Sequence, residues 1–156
     1  ESHHYIANYM QDATDNEFPV NPADVSPELT KHFRALRMWL PMKIHGTRPF
    51  VAALEEKLLL TEYFRREIVK LGFSIGPDPD LSVTYFWYPL EEKQNEFNQK
   101  LVQAFHQSGE VFLSSTMLED KFVIRMAILS FRTHRSTIDK ALNMIKRRLS
   151  EVEAKV

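Results

Sequence analysis

The chain contains 156 residues, with 8 Pro, 4 Gly and no Cys, and its 20 Lys and Arg nearly balance its 21 Asp and Glu. At roughly 100–200 residues per domain, this length indicates one domain with room for an irregular extension. The lack of Cys excludes zinc–thiolate sites and cysteine nucleophiles, and it fits a reducing compartment, so we expect a cytoplasmic protein. A net charge of −1 and the lack of a long apolar run argue against nucleic acid and membranes as partners.

The first part of the chain, residues 1–27, shows neither helical nor strand periodicity. Pro19, Pro22 and Pro27 restrict its second half to extended conformations. A stretch of this length without regular structure is unusual in a self-contained domain. We therefore expect residues 1–27 to be an extended segment that emerges from a larger body, and residues 28–156 to form the domain itself.

Two helices are predicted next. Ser26 and Pro27 are typical of a helix start, and Gly46 is typical of a helix end. A second helix is predicted from Thr47 to Leu71, before the stop signal Gly72. The apolar residues expected on the inner faces of the two helices are Phe33, Leu36, Leu40, Ile44, Leu54, Leu58, Leu60, Phe64, Ile68 and Leu71.

The pattern then changes to short apolar and β-branched runs. Two strands are predicted at Phe73–Gly76 and Leu81–Tyr88, joined by a turn rich in Pro and Asp. A helix is predicted at about Leu90–Gln107, with a glycine two residues after it. Two further strands, Val111–Thr116 and Phe122–Ser130, are separated by a polar tip.

The last element is an amphipathic helix, for which Ser136 is the expected N-cap and Asp139 the capping-box partner. Its inner face is predicted to consist of Ile138, Leu142, Ile145, Leu149 and Val152. Short turns between the strands indicate hairpins, and the helices must cover one face of the sheet. The sequence therefore predicts an α+β fold with a largely antiparallel four-stranded sheet covered by helices.

Several residues that could carry chemistry lack the spacing that the chemistry needs. His3 and His4 are adjacent and point apart in a strand or a helix, so we expect no metal site there. Ser114–Thr116 lacks the glycine-flanked elbow of a nucleophilic serine. The adjacent carboxylates Glu55 and Glu56 are expected to be solvated, and no glycine-rich phosphate loop is present. We predict no catalytic, cofactor-binding or metal-binding residue from these patterns.

Two longer strings are more informative. Phe33–Trp39, which reads Phe-Arg-Ala-Leu-Arg-Met-Trp and is closed by Gly46, resembles the start of the C-terminal domain in the group II pyridoxal-phosphate-dependent amino-acid decarboxylases. Leu118–Ala127 resembles the late hairpin strand of that family. The resemblance covers about residues 20–150 and is nearest to the aromatic-L-amino-acid decarboxylase branch.

The resemblance implies a C-terminal small domain of a fold-type I enzyme, a lyase that releases CO₂ from an L-amino acid, with an aromatic one favoured. In this family a lysine that directly follows a histidine holds pyridoxal 5′-phosphate as a Schiff base in the large domain, and the active sites lie at a homodimer interface. This chain contains Lys31-His32 but no His-Lys pair. The resemblance thus implies that a large domain outside this chain binds the cofactor, and that the chain alone is inactive.

One position is implied to border the substrate. The family motif before the Phe-Arg string is Pro-Leu, then Gly or Ser, then Arg-Arg, and its small residue lies beside the substrate side chain. Leu29–His32 occupies this place, which makes Thr30 the candidate substrate-binding residue. The inserted Glu28 departs from the motif, so an ordinary role for Thr30 in the first helical turn is the alternative.

A second hypothesis belongs to a different class. The chain could be a free-standing small-molecule-binding or dimerisation module without catalysis, with an ancestral likeness to the decarboxylases. A gene that encodes a large domain with a His-Lys pair upstream of Glu1 would favour the enzyme; a start codon near Glu1 would favour the module.

Overall fold

The computed structural model describes residues 31–154. The predictions for residues 1–27 and for Thr30 therefore lie outside the described residues. The chain divides into two compact units, Glu1–Thr47 and Arg48–Val156, and each is described by itself. Within residues 31–154, no helix is both long and apolar enough to cross a bilayer.

The first unit contains one described helix, α1, which spans Leu36–His45. It begins later than the sequence predicts, because residues 31–35 are not helical. The predicted end at Gly46 is confirmed: its φ is +72°, which favours glycine, and its N–H donates to the carbonyl oxygen of Met42 at 2.9 Å. None of the residues of α1 is buried, so the predicted inner face is wrong for the structure as described.

The second unit begins with α2, which spans Arg48–Lys70, close to its predicted bounds. Its buried residues recur at helical spacing and are Lys57, Leu60, Thr61, Phe64, Arg65 and Ile68. The predicted burial of Leu54 and Leu58 is wrong, since they are 67 % and 40 % exposed. Leu54 lies in the part of the helix that precedes the first buried residue, and Leu58 lies to the side of the buried face.

The sheet has four strands: β1 (Ser74–Ile75), β2 (Val83–Trp87), β3 (Ser114–Leu118) and β4 (Lys121–Ala127). Their spatial order is β1-β2-β4-β3, and every neighbouring pair is antiparallel. The two hairpins of the prediction therefore lie side by side, joined through β2 and β4. The predicted fold class is confirmed, although each strand is shorter than its predicted run.

The end of the third helix and the turn between β3 and β4 lie at residues with positive φ. Helix α3 spans Gln94–Ser108 and ends at Gly109, which has a φ of +65°. The polar tip between β3 and β4 consists of Glu119 and Asp120, with φ of +47° and +63°. Asp tolerates this region better than most residues with a Cβ, which suits Asp120 to a tight turn.

The last helix, α4, spans Arg135–Glu153 and starts one residue before the predicted cap. Its N-cap residue is His134, which makes no side-chain capping bond, so the assignment of Ser136 is wrong. Asp139 does not form a capping box either, since its Oδ1 accepts a hydrogen bond from the hydroxyl of Tyr63 at 2.6 Å. Packing of α4 against α2 thus decides where this carboxylate points.

The core lies between one face of the sheet and helices α2, α3 and α4. The ring of Phe86 on β2 packs edge-on against Phe64 at 5.3 Å and Phe73 at 5.5 Å between ring centroids. The predicted inner face of α4 is buried, and α3 contributes Phe97, Leu101 and Phe105. These residues form one continuous core in the second unit.

Replacing Phe86 with Ala should strongly destabilise the second unit, because the ring is fully buried and joins two other rings. We expect a loss of about 3–5 kcal/mol in the free energy of unfolding. Urea denaturation followed by far-ultraviolet circular dichroism measures it. The control is Leu129→Ala, at a residue 70 % exposed, which should change stability by about 0.5 kcal/mol or less. Equal effects of the two substitutions would contradict the assignment of the core.

Candidate functional site

The hydroxyl and imidazole groups of the second unit take part in separate structural contacts. Ser114 Oγ accepts a hydrogen bond from Arg125 Nε at 3.1 Å, and His106 Nε2 lies 2.7 Å from the carbonyl oxygen of Leu113. His134 contacts a carboxylate on α2 instead. These residues form no catalytic triad, and residues 31–154 contain no group of three side chains suited to hold a metal ion.

A buried lysine connects α2 to the start of α4. Lys57 is 4 % exposed, and its Nζ donates to Glu56 Oε2 at 2.7 Å and to the carbonyl oxygen of Thr133. The other carboxylate oxygen of Glu56 lies 2.7 Å from His134 Nδ1. The hydrogen bonds from His134 and then Lys57 lower the pKa of Glu56. Glu56, expected to be solvated, therefore bridges the side chains of Lys57 and His134.

These contacts decide whether the described residues fit the cofactor that the resemblance implies. A Schiff-base lysine needs an amine that is free to attack an aldehyde. The amine of Lys57 is directed to a carboxylate and a carbonyl oxygen, and Lys70 is ion-paired with Glu67 at 2.8 Å. Within residues 31–154 neither fits that role, in agreement with the lack of a His-Lys pair in the sequence.

A second buried cation connects α2 to the first hairpin. Arg65 donates to Thr84 Oγ1 at 2.8 Å, to the carbonyl oxygen of Gly76 at 3.0 Å and to Asp78 Oδ1 at 2.8 Å. The sequence-based prediction missed both cations, because it assigned only apolar residues to the inner face of α2. The usable signal was the four-residue spacing of Lys57, Thr61 and Arg65 along one side of the helix.

The face of the sheet opposite the core carries aromatic and cationic side chains. Because side chains alternate along a strand, Tyr85 and Trp87 share this face with Lys121, Val123 and Arg125. The two rings stack with centroids 6.3 Å apart, and the Nζ of Lys121 lies 4.3 Å from the centroid of Trp87. Val123 is 1 % exposed although it is not part of the core. These five residues are called the outer sheet face below.

Gly76 is required for this arrangement. A Cβ at this position would lie 2.2 Å from the ring of Tyr85, well inside van der Waals contact. The ring therefore lies directly over the backbone at the end of β1. The carbonyl oxygen of the same glycine accepts the hydrogen bond from Arg65. Gly76 therefore contacts both Arg65 on α2 and the ring of Tyr85 on the outer sheet face.

The first unit offers another exposed apolar surface. Five large apolar side chains of α1 are between 40 % and 65 % exposed; they are Leu36, Met38, Trp39, Leu40 and Ile44. At 100° per residue these positions are spread around most of the helix rather than along one stripe. A helix that is apolar on most sides is typical of a segment enclosed by other protein. Trp39 and Leu40 thus leave a large apolar area exposed on this helix.

Comparison with curated proteins shows clear relatives. The aromatic-L-amino-acid decarboxylase of Bacillus atrophaeus is 30 % identical over 151 residues, which cover 92 % of this chain and 32 % of the relative. A phenylacetaldehyde synthase of Petunia hybrida is 29 % identical over 148 residues, which cover 86 % of this chain and 29 % of the relative. The chain thus spans about a third of the length of the curated relatives that it matches. No family model matches the chain.

Solved structures share the fold. The tryptophan decarboxylase of Catharanthus roseus in complex with L-tryptophan superposes with a TM-score of 0.74, at 18 % identity, over 85 % of this chain and 28 % of that chain. The Oryza sativa enzyme with pyridoxal phosphate and tryptamine has a TM-score of 0.73, at 19 % identity, over 80 % of this chain and 28 % of that chain. The resemblance inferred from the two strings is confirmed, and the matched region is the C-terminal part of these relatives.

Replacing Glu56 with Gln should make stability less dependent on pH in the acidic range. The folded chain holds the pKa of Glu56 below its ordinary value, so the carboxylate stabilises the fold above that value. This contribution is lost as the pH falls through the lowered pKa. We expect the wild-type chain to lose more stability than Glu56→Gln between neutral and acidic pH, as measured by urea denaturation across a pH series.

The matched control is Glu55→Gln, which removes the same charge from the exposed neighbouring residue. Glu55 forms no ion pair within residues 31–154, so this variant should follow the wild-type pH profile. Superimposable profiles for Glu56→Gln and the wild-type chain would contradict a stabilising role of the Glu56 bridge.

Proposed function

We propose that this chain, which matches the C-terminal part of the group II pyridoxal-phosphate-dependent decarboxylases, is the small-domain portion of a carboxy-lyase. The whole enzyme would release CO₂ from an L-amino acid, and the branch that it resembles favours an aromatic substrate. The observation that carries the proposal is similarity along 92 % of this chain to a relative three times as long. In this view residues 1–27 lead out of a large domain and residues 28–156 form the small domain.

The exposed apolar helix supports a partner within the same enzyme. Large apolar residues on most sides of α1, with Trp39 at 57 % exposure, would be covered if a large domain packed around the helix. A free-standing module would leave this surface in water at a cost in solubility. The large domain of the same polypeptide is therefore the partner that we propose, and the homodimer follows from the family resemblance.

The cofactor and the location are part of the same proposal. Pyridoxal phosphate, when bound, supplies the ring that accepts the electrons left after loss of the carboxylate. The amines of Lys57 and Lys70 are both ion-paired, and this supports a Schiff-base lysine in the large domain. The chain alone would then be inactive. The lack of Cys supports a location in the cytoplasm.

Aldehyde formation is the second candidate reaction. Two relatives are phenylacetaldehyde synthases, from Petunia hybrida and Arabidopsis thaliana, at 29 % and 27 % identity. Their matched regions cover 86 % and 78 % of this chain, so the small domain does not separate the two reaction types. The product must therefore be identified directly, as an amine or as an aldehyde.

The test is an activity assay on the polypeptide that the whole gene encodes. We expect it to bind pyridoxal phosphate and to release CO₂ from L-tyrosine, L-tryptophan or L-phenylalanine, with the amine as the main product. The 156-residue chain, mixed with the same cofactor and substrates, should release none. Accumulation of aldehyde in place of amine would favour the second candidate. A gene product that begins near Glu1 and binds no cofactor would favour the free-standing module.

Thr30 is proposed to border the substrate side chain. Thr30→Gly would remove bulk from the pocket, so the variant should gain preference for the larger indole of L-tryptophan over L-tyrosine. A change of about one to two methylene equivalents corresponds to about 1–3 kcal/mol in the ratio of kcat/KM values. Thr30→Ser is the matched control, because it keeps the hydroxyl and removes only the methyl group. An unchanged ratio in Thr30→Gly would place this residue away from the substrate.

A further inference from the structure

Within residues 31–154, the sheet has one long unpaired edge, which is formed by β3. In the spatial order β1-β2-β4-β3, this strand bonds to β4 on one side and to no described strand on the other. The opposite edge is β1, which has only two residues and is followed by Pro77 and Pro79. Short strands and proline protect an edge from pairing with another chain, whereas a longer unprotected edge accepts a further strand.

The hairpin register shows which backbone groups face this edge. Leu118 and Lys121 flank a two-residue turn in which both residues have positive φ, and such a turn is closed by a hydrogen-bonded pair. Hydrogen-bonded and non-hydrogen-bonded pairs then alternate along the two strands. The N–H and C=O groups of Ser115 and Met117 therefore point away from β4, where a further strand would meet them.

The side chains of β3 do not protect this edge. Residues 112–118 contain no charged residue and no proline, and Met117 is 52 % exposed. One neighbouring acceptor is occupied, because His106 Nε2 lies 2.7 Å from the carbonyl oxygen of Leu113. The stretch that can pair with a further strand is therefore short and is centred on Thr116.

The two ends of β3 carry opposite charges. Its last residue is followed by the exposed acidic residues Glu119 and Asp120. At its first residue, Arg125 on β4 donates to the hydroxyl of Ser114 at 3.1 Å, so the guanidinium lies beside the start of the strand. A second copy, paired antiparallel about a two-fold axis, would place the acidic turn of each chain beside Arg125 of the other. Opposite charges that meet in this way fix the relative orientation of two partners.

We propose that β3 pairs antiparallel with β3 of a second copy of this chain, about a two-fold axis at Thr116. Ser115 of one copy would exchange two backbone hydrogen bonds with Met117 of the other, and the same pair would repeat across the axis. The two Thr116 side chains would be direct neighbours, with their Cβ atoms about 5 Å apart. The two sheets would then form one continuous sheet. The inference goes beyond the proposed function, since it uses only residues of the second unit.

Cysteine substitution in the full-length protein tests the register. The 156 residues contain no Cys, so Thr116→Cys introduces the first thiol into this part of the polypeptide. Under mild oxidation we expect the introduced thiol to form a disulfide with the same position of a second copy, identified by peptide mapping. The matched control Ser114→Cys should form about tenfold less, because its two copies would lie about 13 Å apart, beyond the reach of a disulfide. Equal cross-linking of the two variants, or none in Thr116→Cys, would overturn the proposal.

Proline substitution tests the hydrogen bonds of the edge. Ser115→Pro removes an N–H that faces the edge and no bond to β4, whereas Ser115→Ala keeps that N–H. In sedimentation at rising protein concentration, the wild-type protein and Ser115→Ala should reach at least about twice the mass of Ser115→Pro. Met117→Lys keeps the backbone and places a charge on the edge, so it should also prevent the association if Ser115→Pro fails to fold. Equal masses of the wild-type protein and the folded edge variants would contradict the pairing.

The same variants distinguish a second copy from other occupants of the edge. If another segment of the full-length polypeptide covered β3, the thiol of Thr116→Cys would stay unreactive or form a disulfide within one polypeptide, and the mass would not depend on concentration. Either result would overturn the proposal. None of these measurements requires bound cofactor or turnover, so their outcome can be read independently of the proposed function.

Discussion

The antiparallel pairing of β2 with β4 is the interaction on which the rest of the second unit depends. It places Phe86 opposite Ile124 and Thr84 opposite Met126, so that all four side chains lie on the face covered by the helices. Because side chains alternate along a strand, a shift of one residue in this register would turn them to the outer face. The same register also brings Trp87 and Lys121 together on that outer face. One set of strand hydrogen bonds therefore determines both the core and the outer sheet face.

Helix α2 is held on this sheet by polar contacts as well as by apolar packing. Lys57 and Arg65 are buried on its inner face, where an unpaired charge would be costly. Each cation has a carboxylate partner and also donates to a backbone carbonyl oxygen, at Thr133 and Gly76 respectively. The contact of Arg65 with Gly76 positions α2 against the first hairpin, and the contact of Lys57 with Thr133 positions it against the start of α4. The polar contacts of Lys57 and Arg65 thus help to fix the position of α2, whereas the stability of the core comes mainly from apolar packing.

The functional proposals rest on the exposed apolar surfaces of the chain and on its match to longer relatives. Its second unit has a continuous core, and residues 31–154 contain no group of three side chains suited to hold a metal ion. Two surfaces carry more apolar area than water favours: helix α1 and the outer sheet face. The relatives, of which the chain spans about a third, have additional polypeptide that could supply both the partner surface and the chemistry.

The sequence by itself determined most of the elements and the fold class and indicated the family resemblance, because these depend on local signals and on specific strings of residues. Helical spacing predicted α2, α3 and α4, and Gly46 and Gly109 marked helix ends where φ is positive. The strings Phe33–Trp39 and Leu118–Ala127 together indicated the resemblance without any knowledge of tertiary contacts. The tertiary structure decided which side of each element is covered. The burial of Lys57, the exposure of Leu54 and the strand order β1-β2-β4-β3 all depend on which surfaces meet, and spacing along one element carries no information about its neighbours.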